Sequence, residues 1–360
     1  MKPRLHYFDM LKGIAIFMVV MGHVLTMCVR EIDRAAIFKF IGEVHMPLFF
    51  FISGWMAMRL GEGGNVATPS LLPRAKRLLL PMLGASTLWL YYFPLSGLES
   101  PLVSTWEGLW SNEWKNGYWF TLVLFEIFAV YAAITPLLSR CRNVWGGIAV
   151  TAAAWAVLLA CQAIMPPMWV GISSLGLAAT FFPIFMAGAL AKKHKDGFGR
   201  ICESSGAVTA ALIVTALCLA FVCWPWKYGF ANEYNLIAAR VILHLSLAVI
   251  AVATVKPWSE RAFSPERSAP GRLADMWRFI GTRSLSVYLL HYFFLFPLGA
   301  ARPALEALGL SFTPLFVFSA TVAAAIVALA LCADYILSFS KPLSLLLTGS
   351  EPPKQPSVTK

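Results

Sequence analysis

Residues 7–29, YFDMLKGIAIFMVVMGHVLTMCV, and residues 36–58, AIFKFIGEVHMPLFFFISGWMAM, decide how the rest of the chain is read. Each is long enough to cross about 30 Å of hydrocarbon as a helix. Yet Asp9, Lys12, His23, Glu43, His45 and Ser53 lie within these apolar runs or at their edges. Ionisable side chains are costly inside a membrane, so they point to a functional site turned toward the interior of a helix bundle. At about 100° per residue, Lys12 and His23 fall about 20° from each other, on one helical face. The helical rise sets the lysine roughly 16 Å nearer one surface.

The composition agrees with that reading. The 360-residue chain is 59% hydrophobic and 13% charged, with a mean hydropathy of +0.70, whereas ordinary soluble domains are about one-quarter charged. The expected fold class is all-α, a polytopic membrane bundle of about ten transmembrane helices. The net charge of +11 comes from cations in short loops between apolar runs, which is a topology signal and not a nucleic-acid surface. The seven cysteines show no CxxC or Cys/His metal spacing and read as small core residues, so neither a disulfide framework nor a metal is expected. The first apolar run follows Lys2 and Arg4 but is too long for a signal peptide and contains Asp9 and Lys12, so it reads as an uncleaved span.

Ten runs are long enough to span: 7–29, 36–58, 78–94, 118–138, 144–165, 168–190, 206–226, 235–255, 276–300 and 312–339. With the N-terminus inside, 21 of the 29 lysines and arginines fall on the inner side and six outside. The positive-inside rule therefore predicts both termini cytoplasmic. No connection is long enough to bury a core of its own. The expected organisation is a transmembrane domain over residues 1–345 and a polar, proline-rich tail, 346–360, without structure. In the outer loop 95–117, Trp106, Trp110 and Trp114 recur every four residues, which suggests an interfacial helix, either a lid or a headgroup anchor.

Four motifs recur in order: FDMLKGIAIFMVVMGH (8–23), HMPLFFFISGW (45–55), PRAKRLLLP (73–81) and GTRSLSVYLLH (281–291). Together they resemble the membrane-bound acyltransferase family 3, in particular its fucose O-acetylase-like and enterobacterial common antigen O-acetyltransferase-like branch. The likeness runs over essentially the whole chain. It implies a protein of the bacterial inner membrane that moves an acyl group, usually acetyl from acetyl-CoA as co-substrate, to a hydroxyl of a cell-envelope glycan or glycolipid. In that family a cation, ten residues and a histidine form the catalytic pattern, which Lys12 and His23 match with lysine in place of the commoner arginine. Lysine supplies a point charge where arginine would supply a bidentate fork.

The chemistry can be argued from the residues as well. Acylating an alcohol with a thioester requires a base for the hydroxyl proton, and a histidine titrates near neutrality. His23 is that candidate base, about fifteen residues into its span and hence roughly 22 Å deep. An extended pantetheine arm suits that depth. The phosphates of coenzyme A would need cations on the inner side, where Lys12, Arg74, Lys76 and Arg77 lie. Arg74 and Arg77, three apart, can grip one phosphate group, and Lys76 reads as a loop charge. His45 is placed either to orient His23 or to bind the acceptor hydroxyl.

Other residues are candidates for holding substrate. Asp9 either neutralises Lys12 or touches substrate. Trp119 and Glu126 share a face on which the carboxylate would hold a histidine, a sugar hydroxyl or a buried cation. Arg240 and His244 share another, suited to a phosphate, a carboxylate or the acceptor sugar. Ser284, Tyr288 and His291 form a polar ridge, with His291 read as a hydrogen-bonded packing residue in preference to a second base. Ser53 and Gly54 suit close helix packing, and no nucleophile elbow surrounds Ser53. The rival from another class is a transporter or flippase for an acyl or glycan substrate, but the two halves show no matching glycine or proline interruptions.

Overall fold

The computed structural model describes residues 5–29, 31–61, 65–95, 105–224, 232–266, 269–295, 301–307 and 311–349. Of the tail expected to be without structure, 346–360, Leu346 and Leu347 instead end a helix, Lys341–Leu347, and residues 350–360, like the early part of the tryptophan loop, lie outside the described set. Among the described residues the chain is helical, with one isolated antiparallel bridge between Leu60 and Val66. Nine helices among the described residues are long and apolar enough to cross a membrane, so the protein is a multi-pass, all-α membrane bundle. The long helices are α1 (His6–Cys28), α2 (Ala36–Ala57) and α3 (Leu71–Tyr92), then α5 (Trp119–Arg140) and α6 (Val144–Ile164) after the short α4 (Trp106–Ser111). The short α7 (Pro167–Ser173) precedes α8 (Leu175–Lys193), and α9 (Lys195–Glu203) precedes α10 (Ser205–Cys223) and α11 (Glu233–Ala262). The chain continues through α12 (Arg272–Thr282), α13 (Ser284–Leu290), α14 (Arg302–Ala307), α15 (Phe312–Leu337) and α16 (Lys341–Leu347).

Helix α1 occupies the middle, packed by α2, α11, α12 and α15. Its crossing with α12 and that of α2 with α8 are backbone-close. A Cβ at Gly13 would strike the Trp277 carbonyl, and one at Gly54 the Phe185 carbonyl. Glycine at such crossings lets helices approach where no hydrophobic force drives them together. Gly54 thus has the packing role expected of it. Helices α6 and α10 lie at the rim, with Trp145, Val157, Ile164, Leu212, Ile213 and Leu217 exposed on faces that a bilayer covers.

Two predicted spans are built differently. The ninth, 276–300, is not one helix: α12 ends at Thr282, and Arg283 (φ −111°, ψ 15°) separates it from α13. Arg283 stacks over Phe279 at 4.1 Å and pairs with Asp334 of α15 at 3.4 Å. A charge tethered there cuts the apolar run to the short segment Ser284–Phe294, and residues 296–300 are outside the described set. In the sixth span Ser174, at φ +54°, divides α7 from α8. Its hydroxyl donates to the Glu113 carbonyl at 2.7 Å, which fixes the break. Of the tryptophan repeat, Trp106 and Trp110 stack on α4, 6.2 Å apart, whereas Trp114 lies beyond the helix.

Candidate active site

The face shared by Lys12 and His23 leads from a cationic cavity toward a half-buried histidine. At its cationic end Lys12 pairs with the buried Asp9 at 2.7 Å, so Asp9 neutralises the lysine, one of the two alternatives open for it. Lys12 lines a cavity of about 540 Å³ with Arg59, Arg74 and Arg77. The Arg74 guanidinium lies 4.5 Å from the Phe128 ring and donates to the Ser70 carbonyl at 2.6 Å. Among the described residues, Asp9 is the only carboxylate paired with any of these four cations. Deeper in, the walls become apolar and aromatic: Ile16 and Val19 of α1, Phe49 of α2, Phe120 of α5 and the ring of Tyr288. The lining reaches Val19, one helical turn short of His23.

His23 faces protein. Its Nε2 is 2.9 Å from the Tyr292 hydroxyl, and its ring centroid is 5.2 Å from that of His291 and 4.9 Å from that of Tyr292. Tyr292 is 1% exposed, wedged beside Tyr118 at 5.1 Å and His291 at 4.1 Å. Its hydroxyl sits against Gly117, where a Cβ would take the same space.

That approach depends on an unusual turn. Lys115, Asn116 and Gly117 all have positive φ, 46°, 52° and 94°, a conformation that is cheap only for the glycine. Two struts hold it. The completely buried Lys115 ammonium donates to the carbonyls of Trp110 (3.0 Å), Asn112 (2.8 Å) and Gly171 (2.5 Å). Burial pushes this lysine down from the ordinary value near 10.5 to about 8. The Tyr288 hydroxyl donates to the Gly117 carbonyl at 2.5 Å and accepts from the Phe120 N–H at 3.1 Å.

The remaining predicted residues fall into distinct settings. Tyr288 commits its hydroxyl proton to Gly117, so it meets the cavity with its ring, and its hydroxyl serves as a strut. His45 turns Nδ1 onto the Ile41 carbonyl of its own helix. His291, 0% exposed, has Nδ1 within 3.1 Å of the Val287 carbonyl and 2.8 Å of the Tyr288 carbonyl. Its Nε2 has no hydrogen-bond partner among the described residues. Trp119 stacks on Phe181 at 5.4 Å and meets Trp114 edge-on, while Glu126 keeps a buried Oε2 without a hydrogen-bond partner among the described residues.

Arg240 and His244 converge on an internal carboxylate: Glu43 of α2 lies 3.3 Å from Arg240 Nε and 3.0 Å from His244 Nε2. Their donors thus have a partner within the protein. Sequence reasoning counted Glu43 among the intramembrane charges that point to a functional site but gave it no partner, and it named none of Arg59, Lys115, Gly117 and Tyr292 as a site residue. The Asn-Gly pair at 116–117 is a turn signal, and Tyr292 directly follows His291. Neither cue reveals the long-range contact that matters. Among the described residues no group of three or more His, Cys, Asp and Glu side chains converges as a metal site.

The fold and this arrangement define a polytopic membrane protein with a cationic cavity leading toward a half-buried histidine. The chain belongs to the acyltransferase family, whose acyltransferase domain it matches over residues 5–333. It is 31% identical to the nodulation protein NolL of Sinorhizobium fredii over 199 residues, 51% of this chain and 47% of that protein. It is 34% identical to NolL of Mesorhizobium japonicum over 140 residues, 36% of this chain and 35% of that one. The chain thus spans about half or less of the length of these curated relatives. No solved structure matches it.

Proposed function

We propose that this acyltransferase moves an acyl group, most simply acetyl, from acyl-CoA to a hydroxyl of a cell-envelope glycan or glycolipid, with His23 as general base. The observation that carries the reading is His23 itself, an imidazole fixed in the bundle interior one turn beyond a cavity whose mouth holds four cations. By the positive-inside rule the cationic end faces the cytoplasm, the compartment of acyl-CoA, in a bacterial inner membrane.

In this mechanism Arg74 and Arg77, with Lys12 and Arg59, take the diphosphate, for which guanidinium groups are well shaped. The pantetheine arm runs along the apolar wall past Val19. Side-chain movement of Phe49 and Phe120 opens the remaining turn, bringing the thioester carbonyl beside His23. Donating the Nε2 hydrogen to Tyr292 leaves Nδ1 as the acceptor, so the role selects the tautomer. As the alcohol oxygen bonds to the acyl carbon, its proton passes to Nδ1. When the carbon–sulfur bond breaks, the imidazolium returns the proton to the departing thiolate. His45, one turn before Phe49, is placed for the acceptor side, and Glu126 offers a carboxylate to a sugar hydroxyl.

A general base contributes about 10²- to 10⁴-fold in rate. Purified protein supplied with labelled acetyl-CoA is expected to transfer or hydrolyse acetyl, and His23→Ala to lower that turnover by about that factor. Unchanged turnover would remove His23 from the mechanism.

A further inference from the structure

A second cavity, of about 630 Å³, lies at the same end of the bundle and is lined by Asn65, Ser139, Arg140, Arg142, Lys193 and His194, together with Leu60 and Cys141. Its cations come from the C-terminal ends of α5 and α8 and the residues that follow them, and no carboxylate is among these lining residues. The Lys193 ammonium is engaged on the Leu138 and Cys141 carbonyls, at 2.5 and 2.7 Å, which ties the two helix ends together. Arg140 and Arg142 have no ion pair among the described residues, and His194 carries a buried Nε2 without a hydrogen-bond partner. Gathering like charges in a recess without a counter-charge is unfavourable unless an anion offsets it.

The turn joining α2 to α3 forms a wall between the two cavities. Arg59 lines the first and Leu60 with Asn65 the second. The turn is closed by Ala67 N–H to the Arg59 carbonyl at 2.9 Å. It is pinned to the end of α5 by reciprocal hydrogen bonds between Ser139 Oγ and the Val66 backbone, both 3.1 Å. Two cationic recesses back to back suit a ligand with two separated phosphate groups, and coenzyme A carries a 5′-diphosphate and a 3′-phosphate on one ribose.

We infer that this second cavity is a phosphomonoester site formed around Arg140 and Arg142. Its phosphate comes from the 3′-phosphoadenosine end of acyl-CoA or from the phosphomonoester headgroup of phosphatidic acid at the same surface. The nucleotide source rests on the acyl-CoA reading above, whereas the site itself does not.

Equilibrium binding tests this without acyl transfer, so its failure is distinguishable from a failure of His23. In phosphatidylcholine nanodiscs, labelled adenosine 3′,5′-bisphosphate is expected to bind the full-length chain saturably. It should also slow maleimide modification of Cys141, followed by peptide mass spectrometry. Arg140→Gln/Arg142→Gln is expected to weaken binding at least tenfold and abolish that protection, and the single Arg142→Gln to weaken it in part. If the bisphosphate does not bind but phosphatidic acid is retained in native mass spectrometry in an Arg142-dependent way, the source is lipid and the site stands. Bisphosphate binding indifferent to both arginines, protection of Cys141 by plain adenosine to the same degree, or retention of neither phosphate ligand would overturn the proposal.

Discussion

Two groups of charged residues interrupt the apolar bundle, and they are balanced differently. Around Glu43 the charges close on themselves: one carboxylate from α2 takes both Arg240 and His244 from α11. Around Lys12 they do not. Arg59, Arg74 and Arg77 share the cavity, and Asp9 offsets Lys12 alone. A closed ion group joins helices, because removing one partner strands the other in a poor solvent for charge. A cationic excess around an open cavity instead leaves donors for an anionic ligand. The contrast separates residues that looked equivalent as intramembrane charges in the sequence.

The largest expected effect breaks the reactive end and spares the Glu43 group. Gly117→Ala sets a methyl where the Tyr292 hydroxyl lies, at a φ of +94° that disfavours alanine. Acetyl turnover should fall by about two orders of magnitude, the scale of a lost general base. Tyr292→Phe, which keeps the ring and removes only the hydroxyl, should cost about tenfold with little change in KM. A comparable rise in KM would place Tyr292 in substrate binding.

The next prediction opposes the two groups directly. Arg74→Gln and Arg77→Gln should each raise the KM for acetyl-CoA about tenfold, the worth of a charge-assisted hydrogen bond of about 1.5 kcal/mol, with the Tm of the detergent-solubilised protein unchanged. Glu43→Gln should do the reverse, lowering Tm while KM stays near wild type. Glu43→Leu combined with Arg240→Leu should recover part of that stability, since replacing a whole ion pair costs less than halving it. If Glu43→Gln instead raised KM as the arginine variants do, the division drawn here would fail.

The smallest effect concerns Lys115, which supports the turn beneath Tyr292. Its folded-state value of about 8 lies below the ordinary lysine value near 10.5. Between those two values the unfolded chain binds more protons than the folded one, so this residue's contribution to stability rises with pH through that window. Wild type should therefore gain Tm relative to Lys115→Met between pH 8 and about 10, as followed by thermal unfolding. A parallel pH dependence in the two proteins would show that the lysine keeps its ordinary titration.

The spans were legible where apolar length alone sets a helix: residues 7–29 and 36–58 were read for what are His6–Cys28 and Ala36–Ala57. The reading failed at 276–300, where Arg283 finds Asp334 about fifty residues later and ends the apolar run. The cation and histidine of α1 were legible because one helical period relates them. The group that holds the histidine was not, because Tyr292 meets His23 across 269 positions of chain. The same holds for the carboxylate between Arg240 and His244, and for the carbonyl cage around Lys115. Such partners are set by which helices become neighbours, and local pattern carries no record of that.

Labelling with an acetyl-CoA analogue that carries a photoreactive group on its acyl carbon tests the central claim most directly. After irradiation of the protein in nanodiscs, peptide mapping should find adducts on α1 between Val19 and His23 and on Tyr292, all lost when unlabelled acetyl-CoA competes. Adducts confined to the mouth of the cavity, or centred on Glu43 and Arg240, would show that the acyl group never reaches His23.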